Sequence, residues 1–390
     1  MQNTFITKIH IDKVRHLENV DIVLSDTERK HLILTGKNGS GKTSLLEEMC
    51  NSVLLSQYNS QRASASTDKL DSNELGKYFH IDGSWINSKM SFGSGVKITY
   101  SAENPNLWQT VFAYISVNRN KFDVPKSIEP IAIRGKNIIN RNASKEFLKY
   151  ILNMDYQLYG AQADGNTALK DKIEKWFIDF QEALRNIYDH SELKLLRDTK
   201  NLTFRIKLPG REPFGLNEMS DGYAAFLDIY MELMMRLENA EAVVKYEQPA
   251  FVLIDEIETH LHVELQKRVL PFLTIMFPNV QFIVATHSPF VISSLADVVV
   301  FDLEKKIRLE DASLYSYEEI IEGFYDIDNV SLKVKDDFER YKTLCETTAV
   351  PSDTKEREII DLRTRLERVS PANKSLFLAF SDYERRRRYD

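Results

Sequence analysis

The chain has 390 residues, of which 43% are hydrophobic, and its formal net charge at pH 7 is −7. This length predicts two or three globular domains, and the negative charge argues against a protein that binds nucleic acid over its whole surface. Two distant cysteines, Cys50 and Cys345, argue against a disulfide framework and a cysteine-rich zinc site. No signal segment or apolar run of membrane-spanning length is visible, so we expect a cytoplasmic protein without a membrane partner.

The N-terminal region is predicted to consist of strands that lead into a glycine-rich loop. Residues 4–12 and 18–24 alternate between apolar and polar side chains, as half-buried strands do. Residues 32–34 are all apolar, which is typical of a strand buried on both faces. A helix is predicted at 44–55, and the serine-rich segment 56–75 predicts no regular structure.

The glycine-rich loop fits the phosphate-binding pattern G-x-x-x-x-G-K-[ST], with its first glycine at Gly36. In the order strand, loop and helix, glycine backbone N–H groups and a helix N-terminus surround phosphates. Lys42 is expected to reach the outer phosphates, and the Thr43 hydroxyl is expected to bind Mg²⁺. The sequence therefore predicts a nucleoside triphosphate site formed by seven residues: Asn38, Gly39, Ser40, Gly41, Lys42, Thr43 and Ser44.

The middle of the chain is predicted to begin with strands at 96–101 and 111–117 and to continue as helix. Asn118, after the second strand, either senses the outer phosphate or belongs to an ordinary turn. The apolar spacing from 144 to 196 is helical and predicts an insertion. Basic residues near its start form either a solvated face or a contact with nucleic acid or a partner: Arg134, Lys136, Arg141, Lys145 and Lys149.

Two buried strands in the second half are predicted to end in chemically active side chains. Four apolar residues precede Asp255 and Glu256, which predicts that Asp255 binds Mg²⁺ and that Glu256 orients or polarises the attacking water. The alternative is a plain strand with an acidic end. His287 follows the apolar strand 282–285, where it either hydrogen-bonds the outer phosphate or is structural.

His260 and His262 form a His-x-His pattern close to the acidic strand end. We assign them to a loop or an interface instead of a metal site, because no further ligand cluster is visible near them. Between the insertion and this region, residues 201–208 predict a strand, and a helix is expected to follow and to continue to Leu237.

The phosphate-binding loop, Met-Ser-Asp-Gly-Tyr at 219–223, the acidic strand end and His287 together resemble the motifs of ABC-type ATPases, in particular the SMC, Rad50, RecF and OLD-like branch. The resemblance implies an α/β P-loop NTPase of ABC-ATPase head type: a mixed β-sheet flanked by helices, N-terminal antiparallel strands, a helical insertion and a helical C-terminal region. It implies ATP and Mg²⁺ as cofactors. It also implies a head-to-tail homodimer in which a signature motif of one protomer closes over the partner's nucleotide: Ser220, Asp221 and Gly222.

Three departures from this family are visible, and one is the absence of a clear Q-loop glutamine, for which Asn118 is the substitute. Ser-Asp-Gly-Tyr replaces the commoner Ser-Gly-Gly-Gln, and a short helical insertion replaces long coiled coils. The tail resembles that of bacterial AAA-type ATPases in anti-phage systems, the Septu ATPases among them. This implies a slow ATPase, a dimer or higher homo-oligomer that switches a separately encoded nuclease, of HNH type in Septu.

A RecF/Rad50-like ATPase that clamps DNA itself is the alternative function, and a transporter subunit is a third. We expect no nuclease in this chain, because Asp326 and Asp328 follow a predicted helix instead of a buried strand. The expected divisions are an N-terminal ATPase lobe at 1–130, the helical insertion at 131–200, a C-terminal ATPase lobe at 201–305 and a helical partner or oligomerisation region at 306–390.

Overall fold

A computed structural model describes residues 4–64, 95–102, 111–115, 143–198, 200–201, 203–237, 249–325, 332–346, 353–369 and 374–389. Six residues singled out from the sequence lie outside these ranges: Asn118, Arg134, Lys136, Arg141, Asp326 and Asp328. The chain divides into two compact units, Met1–Tyr317 and Glu318–Asp390.

An antiparallel sheet of three strands opens the first unit. It contains β1 (Ile6–Val14), β2 (Leu17–Val23) and, later in the chain, β4 (Val96–Tyr100), in the order β2-β1-β4. Apolar residues alternate along β1 and β2, and the buried ones, such as Ile9, Ile11 and Ile22, pack on one face. The predicted N-terminal antiparallel strands are confirmed.

The central sheet has six strands: β3 (His31–Thr35), β5 (Val111–Ile115), β9 (Ala250–Ile254), β10 (Val280–Ala285), β11 (Val298–Asp302) and β12 (Ile307–Glu310). Their order is β12-β11-β3-β10-β9-β5, and every neighbouring pair is parallel except β11 and β12. The parallel strands are apolar and buried along almost their whole length, as in sheets covered on both faces. Their carboxyl ends meet at one edge, where ligands of such sheets bind.

The described residues of the first unit also form six α-helices and the start of a seventh: α1 (Lys42–Ser64), α2 (Ala143–Ala163), α3 (Thr167–Tyr188), α4 (Asp221–Leu237), α5 (Val263–Met276), α6 (Pro289–Ile292) and α7 (Tyr317–Tyr325). The pair α2 and α3 forms the predicted helical insertion. Its aromatic core surrounds Trp176, whose ring centroid lies 5.6 Å from that of Tyr150 and 5.4 Å from that of Phe180. A small antiparallel sheet follows, made of β6 (Lys194–Asp198), β7 (Thr203–Lys207) and β8 (Phe214–Gly215).

The second unit continues with α8 (Leu332–Glu346), α9 (Asp353–Val369) and α10 (Lys374–Tyr389). These three helices share a hydrophobic core of their own, which includes Phe338, Tyr341, Leu366 and Phe380. Among the described residues, no helix is both long and apolar enough to cross a lipid bilayer.

Gln281 on β10 joins the central sheet to the N-terminal strands. Its side chain is 1% exposed. The carbonyl oxygen accepts the backbone N–H of Ile6 at 2.7 Å, and the amide group donates to the backbone oxygens of Ile6 at 3.0 Å and Lys30 at 2.8 Å. A buried amide with all three partners fixes the relative position of the segments that it connects.

The structure confirms the predicted α/β class and differs from the expectations in three elements. Residues 194–198 form β6 instead of helix, because they pair with β7. The helix α1 continues to Ser64, so the serine-rich segment begins as helix. The range 306–390 includes the strand β12, which pairs with β11 of the central sheet.

Candidate functional site

The phosphate-binding loop connects β3 to α1, and its shape requires glycine. Gly36 has φ +131° and Gly41 has φ +96°, backbone conformations that other residues rarely adopt. A Cβ atom at Gly36 would lie 2.9 Å from Ser40 Oγ, and one at Gly41 would lie 3.1 Å from Leu17 Cδ1. The loop therefore folds tightly over the start of α1, with the helix N-terminus facing the same space.

Lys42 is the first residue of α1, and its ammonium group lies inside the loop. Nζ donates to the backbone oxygen of Gly36 at 2.9 Å and to that of Lys37 at 3.2 Å. Burial lowers the pKa of Lys42, and the negative charge of Asp255 is the largest influence that opposes this shift. The cation is thus held inside the loop, where a loop of this pattern would surround a phosphate.

Asp255, at the end of β9, contacts the hydroxyl group that follows the lysine. Thr43 Oγ1 donates to Asp255 Oδ2 at 2.9 Å. Burial raises the pKa of Asp255, the hydrogen bond from Thr43 lowers it, and the charge of Glu256 raises it further. A hydroxyl and a carboxylate oxygen side by side suit Mg²⁺, which prefers oxygen ligands and is held by few protein groups.

A pocket of about 280 Å³ lies at this edge of the sheet. Its walls come from the loop, from the start of α1 and from the ends of β9 and β10; the lining residues are Arg15, Asn38, Gly39, Gly41, Lys42, Thr43, Ser44, Glu47, Glu256 and His287. Six of the seven loop residues singled out from the sequence line it, and Ser40 lies beneath them, with Oγ 3.4 Å from Lys42 Nζ. The pocket therefore joins sequence motifs that are about 250 residues apart in the chain.

Glu256 and His287 face this pocket from adjacent strand ends. Glu256 has φ +44°, a strained backbone conformation of the kind that clusters at functional sites. Its carboxylate accepts a hydrogen bond from Thr259 Oγ1 at 3.3 Å. Burial and the charge of Lys42 lower the pKa of His287, and the charge of Glu256 opposes this shift, so that the surroundings favour the neutral imidazole.

Arg15 and Glu258 belong to this region, although the sequence analysis did not single them out. Arg15 lies in the turn between β1 and β2, and it lines the pocket. Glu258 follows the acidic strand end, and its carboxylate contacts the residues at the end of β10. The position of Arg15, in a turn between two strands of alternating pattern, could have been noticed in the sequence. The contacts of Glu258 could not, because they join parts of the chain that come together only in the folded structure.

The signature residues lie outside the pocket of their own protomer. Ser220 and Asp221 are exposed at the start of α4, and Gly222 is buried. A Cβ atom at Gly222 would lie 3.2 Å from both the backbone oxygen of His260 and the Cδ2 atom of His262. Within the described residues, no group of three or more His, Cys, Asp or Glu side chains is arranged to hold a metal ion.

Comparison with known proteins finds one family model that matches part of this chain and two kinds of similar proteins. The family described as "AAA domain, putative AbiEii toxin, Type IV TA system" matches residues 116–293. The Septu protein PtuA of Bacillus mycoides (strain KBAB4) is 22% identical over 395 residues, which cover 95% of this chain and 52% of PtuA. The retron Ec83 probable ATPase of Escherichia coli is 29% identical over 164 residues, which cover 40% of this chain and 28% of that protein.

Two SMC head structures are similar in part. The SMC head bound to the C-winged helix domain of ScpA has a TM-score of 0.41 at 16% identity, with 79% of this chain and 95% of that chain covered. The SMC head domain from Thermotoga maritima has a TM-score of 0.36 at 13% identity, with 76% and 94% covered.

The chain spans about half the length of PtuA and less than a third of the retron protein. The match to PtuA nevertheless extends over almost the whole of this chain, and the family match includes the signature, the acidic strand end and His287. These similarities confirm the resemblance that the motifs indicate, namely to ABC-type AAA ATPases of bacterial anti-phage systems.

Proposed function

We propose that this protein binds and hydrolyses ATP with Mg²⁺, and that the bound nucleotide switches a homodimer which regulates a separately encoded nuclease in phage defence. One observation carries the ATPase part of the proposal. Lys42, Glu256 and His287 line a single pocket, beside a hydroxyl and a carboxylate suited to Mg²⁺. These are the groups that phosphoryl transfer to water requires.

Each residue has a distinct task in the proposed reaction. Lys42 and the N-terminus of α1 bind the phosphate oxygens, so Lys42 leaves the backbone oxygens that it now contacts. Thr43 and Asp255 would hold Mg²⁺, which would supply positive charge beside the phosphates. Glu256 orients the attacking water and accepts its proton, and the neutral His287 donates a hydrogen bond to the outer phosphate.

The dimer part of the proposal is supported by the position of the signature motif. Ser220 and Asp221 are exposed at a helix N-terminus, and they do not line the described pocket of the same chain. A second copy, packed head to tail, brings these residues and the positive end of α4 to the open side of that pocket. A homodimer or a higher assembly built from such dimers then buries two nucleotides.

The nuclease partner is supported by similarity to the Septu protein PtuA over 95% of this chain. An HNH-type nuclease is the partner class that this resemblance implies. The alternative, direct clamping of DNA, rests on basic residues of which Lys145 and Lys149 lie on the described helix α2. An affinity for DNA that appears only with ATP and falls steeply with salt identifies the alternative.

The test measures ATP turnover and molecular mass together. Wild-type protein is expected to release phosphate from Mg²⁺-ATP, and a Lys42→Ala variant is expected to bind no nucleotide. Light scattering of the Glu256→Gln variant is expected to show a monomer without ATP and a dimer with it. A mass that does not respond to nucleotide contradicts the switch, and absence of wild-type turnover contradicts the ATPase.

A further inference from the structure

A third acidic residue, Glu258, connects the turn after β9 to the end of β10. Its Oε1 atom accepts the backbone N–H of His287 at 2.6 Å, and its Oε2 atom accepts the Thr286 hydroxyl at 2.7 Å. The Thr286 oxygen in turn accepts the backbone N–H of Ser288 at 3.0 Å. One carboxylate, directly or through Thr286, therefore fixes three consecutive residues that include His287.

This arrangement depends on the charged form of Glu258. Burial raises the pKa of Glu258, whereas the hydrogen bonds from the His287 backbone and the Thr286 hydroxyl lower it. Both carboxylate oxygens serve as acceptors, and an added proton would turn one of them into a donor that faces another donor. The bonds are charge-assisted, which makes them stronger than neutral ones.

A second connection holds the same two segments together. Gln266 on α5 donates from Nε2 to the backbone oxygen of Leu261 at 2.7 Å, and its Oε1 atom accepts the Ser288 hydroxyl at 2.6 Å. Ser288 Oγ also accepts the backbone N–H of Phe290 at 3.1 Å and so caps the short helix α6. The end of β10 thus has little freedom to move relative to the turn after β9.

Glu258 differs in role from the two acidic residues before it. Asp255 contacts Thr43, and Glu256 lines the pocket, whereas Glu258 is directed at the backbone of His287 and does not line the pocket. We propose that Glu258 is a positioning residue for ATP hydrolysis, which holds the His287 imidazole in the pocket opposite Glu256. This inference rests on the proposed ATPase function.

The test compares steady-state ATP hydrolysis of Glu258→Ala with that of the wild type. We expect kcat to fall by about 10- to 100-fold, because small displacements of a reacting group are costly. KM should change less than about threefold, since the contacts of the phosphate-binding loop are intact. Glu264→Ala is the matched control: its side chain is 81% exposed at the start of α5, and its kcat should equal that of the wild type.

A double mutant separates positioning from general stability. If Glu258 acts through His287, adding Glu258→Ala to the His287→Ala variant should lower kcat by less than about threefold further. If the two residues act independently, the fold-loss in kcat of the double mutant should equal the product of the two single losses. If the Glu258→Ala variant does not fold, the Glu258→Gln variant replaces it in the test. The glutamine side chain retains one hydrogen-bond acceptor, so we expect its kcat to fall by only about 3- to 10-fold.

The positioning role of Glu258 is overturned if a folded Glu258 variant has the kcat of the wild type, or if the losses in kcat multiply in the double mutant. Either result leaves the proposed ATPase function standing. Absence of turnover in the wild-type protein is a different result, because it removes the proposed ATPase and this inference with it.

Discussion

Glu256→Gln is the substitution that most directly separates nucleotide binding from hydrolysis. It preserves the size of the side chain, and the new amide oxygen can still accept the hydrogen bond that Thr259 Oγ1 now donates to Glu256 Oε2 at 3.3 Å. The turn, with φ +44° at this position, should therefore keep its shape. What the variant loses is the negative charge that, in the proposed reaction, orients water and accepts a proton.

The expected loss in turnover follows from the size of general-base catalysis. A positioned base contributes about 10²- to 10⁴-fold, which corresponds to about 3 to 5 kcal/mol of activation free energy. Binding should not suffer: the charge of Glu256 raises the pKa of both Asp255 and Glu258, so its removal lessens repulsion among these acids. Because ATP is also an anion, its affinity should stay equal or increase.

The assay is phosphate release under single-turnover conditions, paired with calorimetric titration of ATP. Glu264→Gln, at an exposed position of α5, is the control for loss of one carboxylate in this region. Turnover in Glu256→Gln within threefold of the wild type would exclude Glu256 as the water-orienting base. Loss of ATP binding in a folded Glu256→Gln variant would contradict the expectation that removing this negative charge leaves the affinity for ATP equal or increases it.

Three further predictions concern other parts of the first unit. Gly41→Ala should weaken ATP binding by at least about tenfold in calorimetry, because φ is +96° and the new methyl group meets Leu17 Cδ1 at 3.1 Å; unchanged affinity would contradict the required loop shape. Gln281→Leu removes the side-chain partner of two buried backbone groups of Ile6 and of the half-buried backbone oxygen of Lys30, and it should lower the free energy of unfolding by about 3 kcal/mol in urea denaturation; a change below about 1 kcal/mol would refute this account. Ser220→Arg, added to Glu256→Gln, should abolish the ATP-dependent dimer in light scattering while each monomer still binds ATP; a normal dimer would contradict the signature role in trans.

The strands of the first unit were predictable where burial leaves a pattern in the sequence. The apolar residues 32–34, 251–254 and 282–285 became buried parallel strands because each is covered on both faces. By contrast, β6 was missed because all five of its residues are exposed or half-buried, so that pairing with β7 determines its structure more than its own side chains do.

The candidate site was predictable to the extent that local motifs determine it. Gly36, Lys42 and Thr43 form a continuous pattern, and Asp255 follows an apolar run, so the sequence alone indicated their chemistry. Glu258 was missed because its partners lie 28 and 29 residues further along the chain, on a different strand. Contacts of this kind depend on how strands are ordered in the sheet, which no short pattern encodes.

The arrangement of the described motifs has a consequence for control of the proposed ATPase. Within one chain, Lys42, Thr43 and the candidate base Glu256 line one pocket, and Thr43 is hydrogen-bonded to Asp255, whereas the exposed signature residues do not line that pocket. Binding can therefore occur in a single copy, whereas the proposed closed state needs a second copy to supply Ser220 and Asp221. Gly222 lies against His260 and His262, which closely follow Glu258 in the chain, and Glu258 accepts the backbone N–H of His287. Closure at the signature would therefore act on the segment that positions His287. Hydrolysis would then respond to dimerisation and not to ATP concentration alone, which suits a switch better than a constitutive enzyme.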